Sequence, residues 1–199
     1  MAQRGRPLGY EPDKVLDVAM RLFWAHGYEG TSMSDLTEAM GINRRSLYAA
    51  YGSKEGLFEA ALARYVDGPG AFPHAAVEKP TAYEVAECYL RQAVLSYTCP
   101  ELPRGCMTVQ AGLTCSAEAE PVRDELASKR RLGIELLTKR LVRAAEEGDL
   151  PAGADPSALA GYLVALNHGF SVQAGGGITR MVLMRFVDQA LLLWPGRPS

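Results

Sequence analysis

The residues best suited to a chemical task lie close together in the middle of the segment 30–58. Arg44 and Arg45 follow a Gly-Ile-Asn turn, and Lys54 lies a short distance further along the chain. A guanidinium group can donate two hydrogen bonds to guanine O6 and N7, and an ammonium group can neutralise a phosphate. To do this, the arginines must stand at one end of a helix that enters a DNA groove. The alternative for such a charge pair is a solvated helix face.

The surrounding sequence predicts two short helices joined by a turn. Ser32-Met33-Ser34-Asp35 is a capping-box pattern that opens one helix, which ends at Gly41. Glycine suits this turn because it adopts positive φ at little cost. Asn43 can cap a second helix that runs to about Tyr51. The result is a helix-turn-helix that places Arg44-Arg45-Ser46 in the first turn of its second helix.

Helical periodicity continues on both sides of this motif, without a sustained strand-like alternation. We expect a first helix from about Val15 to Gly27 and a fourth from Ser53, before glycine and proline at 68–70 interrupt the pattern. Further helices are predicted over 81–97, from about Gly105, from Pro121 to about Glu147, from Asp155, and from Thr179 to Trp194. The predicted fold is all-α, with a helix-turn-helix domain over 1–66 and a larger helical domain over 67–199.

The last two predicted helices are apolar on nearly all sides. Leu163 and Phe170 are typical of the first, and Leu183 and Leu191 of the second. A domain of this size can cover one face of a terminal helix but not both, so the other face needs a partner. We therefore expect a homodimer that joins through the last two helices of each copy. The alternative is a buried helix hairpin within a monomer.

The segment 30–58 resembles the N-terminal pattern of the TetR family of transcriptional regulators. Thr31, Gly41, Leu47-Tyr48 and Ser53-Lys54-Glu55-Gly56-Leu57-Phe58 stand at the spacing of that pattern. The resemblance covers residues 10–66 in detail and the remainder only in helix order and length. It implies a regulator that grips operator DNA with its helix-turn-helix.

The resemblance also implies which side chains contact double-stranded DNA. Arg44, Arg45 and Ser46 would face the bases. The phosphates would be held by Thr31, Ser32, Tyr48 and Lys54, and Asn43 is a further DNA-binding candidate. Two positions depart from the family pattern. Thr37 stands where alanine is usual in a tight helix contact, and Ala50 stands where a larger residue such as histidine is frequent, so one backbone contact is in doubt.

The start of the chain, residues 1–9, predicts a basic arm ahead of the first helix. Its Arg4-Gly5-Arg6-Pro7 sequence resembles the core of an AT-hook, a segment that places arginines in a narrow, A·T-rich minor groove. We expect Arg4 and Arg6 to contact the minor groove or phosphates. The alternative is a basic tail that only increases solubility.

Overall charge argues against a protein that binds nucleic acid through its net field. The 199 residues carry 21 Lys and Arg against 23 Asp and Glu, a net charge of −2. DNA binding must therefore depend on the local basic cluster. The most apolar segment, 181–194, contains Arg185 and Asp188 and is shorter than the roughly 20 apolar residues that span a bilayer. We expect a cytoplasmic protein without membrane partners.

The family resemblance further implies that the larger domain binds a small-molecule effector that releases the protein from a palindromic operator. Candidate effector contacts are polar or soft residues on otherwise apolar helices, and each could instead be an ordinary core residue. They are Cys88, Gln92, Tyr97, Met107, Gln110, Tyr162 and His168. Few acidic residues lie on these faces, which favours an apolar, neutral or weakly acidic effector.

Two other classes of function deserve comparison. The cysteines Cys88, Cys99, Cys106 and Cys115 leave open a thiol-sensing regulator that uses them in place of a ligand. Their spacing, and that of the scattered histidines, predicts no metal site, and we expect no cofactor. Patterns such as GxSxG, HExxH and the P-loop are missing from the sequence, which argues against an enzyme. A purely structural adaptor would leave the arginine cluster unexplained.

Overall fold

The structure, a computed structural model, describes residues 11–112 and 119–196, and within these ranges it is all-helical. Its helices are α1 (Pro12–His26), α2 (Met33–Met40), α3 (Arg44–Tyr51), α4 (Lys54–Asp67), α5 (Phe72–Val77), α6 (Ala82–Tyr97), α7 (Met107–Gln110), α8 (Glu120–Glu146), α9 (Pro156–Gly175) and α10 (Arg180–Leu192). The all-α prediction is confirmed.

Helices α1 to α4 form the reading domain, built around aromatic and leucine side chains. Phe23 of α1 meets Phe58 of α4 edge-on, with ring centroids 5.1 Å apart. Leu36 of α2 and Leu47 of α3 are fully buried in the same core. Since these side chains come from all four helices, the reading domain holds α3 in a fixed orientation on α1 and α4.

Helices α5 to α10 form the body, and α9 lies at its centre. One face of α9 packs against α6 and α8, and residues such as Leu163 and Ala174 on that face are fully buried. Asp155 caps α9 by accepting hydrogen bonds from the backbone N–H groups of Ser157 and Ala158. Pro121 lies in the first turn of α8, where its missing N–H has no helical partner to lose.

The reading domain and the body share one continuous core. Trp24 of α1 and Tyr65 of α4 stack edge-on with centroids 4.7 Å apart, and both are almost completely buried. The indole N–H of Trp24 donates a hydrogen bond to the carbonyl oxygen of Gly105, in the segment that precedes α7. These contacts therefore connect α1 and α4 to the segment of the body that precedes α7.

The helix prediction missed one element, and two others need detail. The short helix α5 was not predicted, because the glycine and proline residues around 68–73 dominate the pattern there. The helix predicted from about Gly105 begins at Met107 and is a single turn, α7. The last helix follows Thr179 as predicted, and the Thr179 side chain makes no capping hydrogen bond there.

The faces of α9 and α10 that point away from the body remain exposed and apolar. Val172 is 47% exposed, Phe186 45% and Met181 74%. Both helices thus bury one face and leave an apolar one uncovered, which agrees with the expectation that a second copy is needed. None of the helices in the described ranges combines the length and hydropathy needed to cross a membrane.

Candidate nucleic-acid interface and the cavity behind it

The helix-turn-helix is fixed by local hydrogen bonds at the start of α2. The Ser32 hydroxyl oxygen accepts from the Asp35 N–H at 3.1 Å, and the Asp35 carboxylate accepts from the Ser32 N–H at 2.8 Å. This is the predicted capping box. These hydrogen bonds from Ser32 also hold the pKa of Asp35 below its usual value. Gly41 ends α2 with a φ of 65°, the left-handed conformation predicted for the turn.

The second helix presents its basic first turn to solvent. Asn43 caps α3 by accepting a hydrogen bond of 2.8 Å from the Ser46 N–H, and buried Leu47 anchors the helix to the core. Arg44 and Arg45 are exposed on the first turn. This cap engages the Asn43 side-chain oxygen and leaves the side-chain amide nitrogen available to donate. In a helix-turn-helix, exposed side chains on the first turn of the second helix contact base edges, and Arg44 and Arg45 occupy this turn.

Further polar side chains surround the first turn of α3. Tyr48 is 46% exposed. Lys54 opens α4, and its ammonium nitrogen lies 4.3 Å from the ring centroid of Tyr28. Such a contact is attractive and restrains the lysine. Partial burial lowers the pKa of Lys54, while the neighbouring carboxylates, Glu55 foremost, oppose this.

The expected phosphate contacts at the start of α2 differ in their exposure. Ser32 is exposed, and since its oxygen accepts the capping bond, its hydroxyl hydrogen is left to donate. Thr31 is only 1% exposed, and its hydroxyl donates to the Gly27 carbonyl at 2.7 Å. This burial argues against a phosphate contact by the Thr31 side chain, which instead fixes the chain between α1 and α2. Arg4 and Arg6 lie outside the described residues.

The two departures from the family pattern also have a place in the structure. The Thr37 hydroxyl donates to the backbone carbonyls of Met33 and Ser34, both at 3.0 Å, so the polar side chain is satisfied within its own helix. Ala50 is exposed near the end of α3. A larger residue would fit there without disturbing the core.

A cavity of about 420 Å³ lies in the body behind the reading domain. Its inner wall is formed by Tyr65 of α4, Tyr89 and Tyr97 of α6, Cys106, and Asn167 of α9. The residues of α8 close the other side, and several of them are solvent-exposed. A cavity of this size falls within the range of small-molecule sites.

The seven predicted effector contacts divide into two groups. Tyr97 and His168 line the cavity. The remaining five lie elsewhere: Cys88, Gln92, Met107, Gln110 and Tyr162. Gln92 and Tyr162 point to solvent, Met107 is buried in the core, and the Gln110 amide donates to the Ser171 carbonyl at 3.2 Å. The structure therefore offers no support for these five as contacts in this cavity.

The most polar part of the cavity wall was not predicted. The Tyr97 hydroxyl donates to the Asn167 side-chain oxygen at 2.6 Å, and the Asn167 amide donates to the Tyr89 hydroxyl at 2.9 Å. Tyr65 donates to the Cys106 sulfur at 3.3 Å. Asn167 was the available signal, since an amide in the middle of an apolar helix requires a partner.

The charge states along the wall follow from burial. Desolvation raises the pKa of Tyr65, Tyr89 and Tyr97, so these phenols stay protonated. Desolvation first, and then the nearby Arg130, lowers the pKa of His168. The inner wall is therefore uncharged at neutral pH. Among the described residues, there is no group of His, Cys, Asp and Glu side chains able to hold a metal ion.

A helix-turn-helix with an exposed basic first turn, mounted on a helical body, defines a DNA-binding regulator. Residues 15–61 match the family described as bacterial regulatory proteins, tetR family, and residues 88–175 match the tetracyclin repressor-like C-terminal domain. The chain belongs to the TetR family of transcriptional regulators, as the motif in α2 to α4 predicted, and is not an enzyme. The division at residue 66 stays a prediction; α4 itself continues to Asp67.

Several relatives resemble the chain over almost its whole length. The HTH-type transcriptional repressor ComR of Escherichia coli (strain K12) is 35% identical over 195 residues, which cover 96% of this chain and 92% of ComR. A solved structure of the TetR family regulator CifR, a cysteine variant in complex with 26-bp double-strand operator DNA, is 43% identical with a TM-score of 0.92. The match with CifR covers 96% of this chain and 100% of the CifR chain. A solved structure of a TetR regulator from Rhodococcus sp. RHA1 is 42% identical, with a TM-score of 0.63. The match covers 92% of this chain and 98% of the Rhodococcus chain.

Proposed function

We propose that this chain is a repressor that binds a palindromic operator as a homodimer and leaves it when a small molecule enters the cavity. The observation that carries the proposal is the exposed pair Arg44 and Arg45 on the first turn of α3, held in place by the Asn43 cap and the buried Leu47. Two relatives agree with it: ComR is named a repressor, and CifR was solved on operator DNA.

Dimerisation is supported by the uncovered faces of α9 and α10. Gly161 and Gly169 lie on α9, and a side chain built on either would meet nothing within 4 Å, so the helix surface there is open to close approach. Tyr162 and Val172 provide exposed apolar area on the same helix, and Phe186 does so on α10. We infer that the same helices of a second copy cover this surface, because an isologous contact buries both patches together.

Release by a ligand follows from the geometry that two reading domains must satisfy. The recognition helices of a dimer enter successive major grooves about 34–36 Å apart. A ligand that binds best when the helices are badly spaced shifts the population away from the DNA-binding form. Tyr65 supports this view, since it belongs to α4 of the reading domain and also lines the cavity. A cytoplasmic location remains a prediction, because it follows from the proposed binding to DNA.

The first test is selection of random DNA duplexes with the full-length protein. We expect an enriched palindrome whose half-sites are about one helical turn apart. The Arg44→Ala and Arg45→Ala variants should each lose about 1–3 kcal/mol at one base position. Arg131→Ala, which removes an exposed arginine of α8, is the matched control and should select the same sequence. Equal losses on all sequences for Arg44→Ala would show a phosphate contact in place of a base contact.

Thiol sensing is a second candidate, favoured by the position of Cys106. Its sulfur lines the cavity, accepts a hydrogen bond from Tyr65 and lies 3.1 Å from the Thr108 hydroxyl oxygen. Hydrogen peroxide would oxidise the thiol to a sulfenic acid with release of water, and the added oxygen would disturb the contact with α4. Operator binding by the Cys106→Ser variant should then resist peroxide. Equal sensitivity in this variant and the wild type would remove Cys106 as the sensor; Cys115 lies outside the described residues.

A further inference from the structure

The hydrogen bonds at the inner wall of the cavity leave donors without an acceptor among the residues that the structure describes. Tyr97 donates to the Asn167 side-chain oxygen, and the Asn167 amide nitrogen donates to the Tyr89 oxygen. Tyr89 thus acts as an acceptor in this chain, which leaves its own hydrogen available. The second amide hydrogen of Asn167 is also available. If the amide were turned over, the roles of the two tyrosines would exchange, and one phenol hydrogen would still remain.

These donors are buried and face the cavity. Tyr89 is 3% exposed and Asn167 5%, and both line the cavity wall. A buried donor without an acceptor costs free energy, so a group that supplies an acceptor at this point is favoured. The other sulfur and oxygen atoms of the wall, those of Cys106 and Thr108, already contact each other or Tyr65. The inner end of the cavity therefore has hydrogen-bond donors that no described residue satisfies.

The lysine, arginine and glutamate residues that line the cavity all belong to α8. Lys129 pairs with Glu125 at 3.0 Å, and Arg130 donates to the Thr108 carbonyl at 2.5 Å. Lys139 and Glu135 are exposed and of opposite sign. A ligand that carried a formal charge to the Tyr89 and Asn167 side chains would lose hydration beside uncharged groups. The wall is thus better suited to an uncharged molecule.

Gly133 indicates where the ligand has room. It lies in the middle of α8, where glycine is less favourable than alanine by about 0.5–1 kcal/mol. At Gly105 and Gly175, by contrast, packing explains the glycine, because a side chain there would collide with Gln110. At Gly133 a side chain would meet nothing within 4 Å, yet the residue lines the cavity. The space beside Gly133 is therefore part of the cavity, and no neighbouring side chain of this protein fills it.

We propose that the effector is a small uncharged molecule with an apolar body and one acceptor oxygen, such as an aryl ketone. Its oxygen accepts hydrogen bonds from Tyr89 and Asn167, and its body lies along Phe72 and Val164 with an edge beside Gly133. The effect on DNA rests on the proposed function, whereas binding in the cavity can be measured without DNA.

The test compares three probes of similar shape by calorimetry on the full-length protein. 2-Acetylnaphthalene carries a carbonyl oxygen, 2-isopropenylnaphthalene replaces that oxygen by CH₂, and 2-naphthoate adds a negative charge. We expect the ketone to bind about tenfold more tightly than the alkene, because only the ketone satisfies the buried donors. The naphthoate should bind most weakly. Equal binding of ketone and alkene, tightest binding of the naphthoate, or no binding of the ketone overturns the proposal.

Three variants locate the interaction. The double variant Tyr89→Phe/Asn167→Leu removes both assigned donors and should bind ketone and alkene with nearly equal affinity. Gly133→Leu should bind both more weakly, because its side chain takes the space beside the ligand's edge. Arg131→Leu, on the exposed side of α8 and away from the cavity wall, is the matched control and should bind like the wild type. Circular dichroism of each variant verifies folding. An unchanged preference for the ketone in the folded double variant overturns the assigned contact.

The outcomes for binding and for DNA are separable. If duplex selection succeeds and the ketone does not bind, the proposed repressor function stands and the assigned effector class is wrong. If the ketone binds in the cavity without weakening the operator complex, the cavity chemistry stands and release by this ligand is wrong.

Discussion

The indole N–H of Trp24 donates a hydrogen bond of 3.1 Å to the carbonyl oxygen of Gly105. This bond joins α1 of the reading domain to the chain segment beside Cys106, whose backbone N–H donates to the Ser171 hydroxyl of α9 at 2.8 Å. A displacement of α9 at Ser171 thus reaches α1 through two hydrogen bonds, one on each side of the Gly105–Cys106 peptide. Tyr65 stacks on Trp24 and lines the cavity, which gives a second connection between the same parts.

Replacing Trp24 by Phe should weaken communication between the cavity and DNA. Phenylalanine keeps a smaller aromatic ring in the core, and the Gly105 carbonyl loses its donor, a change of about 1 kcal/mol for the lost bond. We expect operator affinity without ligand to change by less than about threefold, while the loosening of the operator complex by 2-acetylnaphthalene falls by up to about fivefold. Fluorescence anisotropy of a labelled operator measures both. Trp194→Phe is the matched control, because Trp194 is buried and its indole N–H has no partner among the described residues; equal effects of both variants would contradict the role of the bond.

Lys54 should contribute to operator affinity without contributing to sequence preference. Its ammonium group is held over Tyr28 at the start of α4, where a backbone phosphate would also meet the positive end of the helix. Lys54→Gln should weaken binding to all duplexes by a similar factor and lower the slope of log affinity against log salt by about one. Anisotropy titrations between low and moderate salt give this slope. An unchanged slope, or a loss confined to one base position, would exclude a phosphate contact.

The exposed face of α10 should be required for dimerisation. Phe186 is 45% exposed on the uncovered side of the helix, and a glutamate there would place two like charges in an isologous interface. We expect the Phe186→Glu variant to sediment as a monomer at concentrations where the wild type is a dimer, and to bind the operator much more weakly. Val142→Glu, at a 39% exposed position on α8, is the control and should remain dimeric. A dimeric Phe186→Glu protein would show that the copies meet elsewhere.

The sequence predicted the reading domain well because its structure depends on local signals. Ser32, Gly41 and Asn43 determine where α2 and α3 begin and end, and each acts on residues within one helical turn. The cavity depends instead on the rotation of α6 and α9 within a distant packing arrangement. Each residue turns a helix by about 100°, so an error of one position moves a side chain off the wall. Cys88 was predicted, yet its neighbour Tyr89 faces the cavity.

The junction of α1 and α4 should be sensitive to acid. Arg64 donates to both carboxylate oxygens of Asp17, one of these bonds measuring 2.9 Å, and the bond to Arg64 is the main reason that the pKa of Asp17 lies below its usual value of 3.8. The carboxylate is thus more acidic in the folded chain than in the unfolded one. The stabilisation by this ion pair is fully present above about pH 4 and is lost as the pH falls through the lowered pKa of Asp17.

The variant Asp17→Asn tests this ion pair. Since both side chains are partly exposed, we expect it to lower the free energy of unfolding at pH 7 by less than about 1 kcal/mol, which lowers the melting temperature by up to about 4 °C. The difference from the wild type should be smaller at about pH 3 than at pH 7, because pH 3 lies below the ordinary pKa of the carboxyl group. Asp13→Asn removes a longer, more exposed contact to the same arginine and should have a smaller effect. A difference for Asp17→Asn that is equally large at both pH values would show that side-chain packing, and not the ionised carboxylate, stabilises this junction.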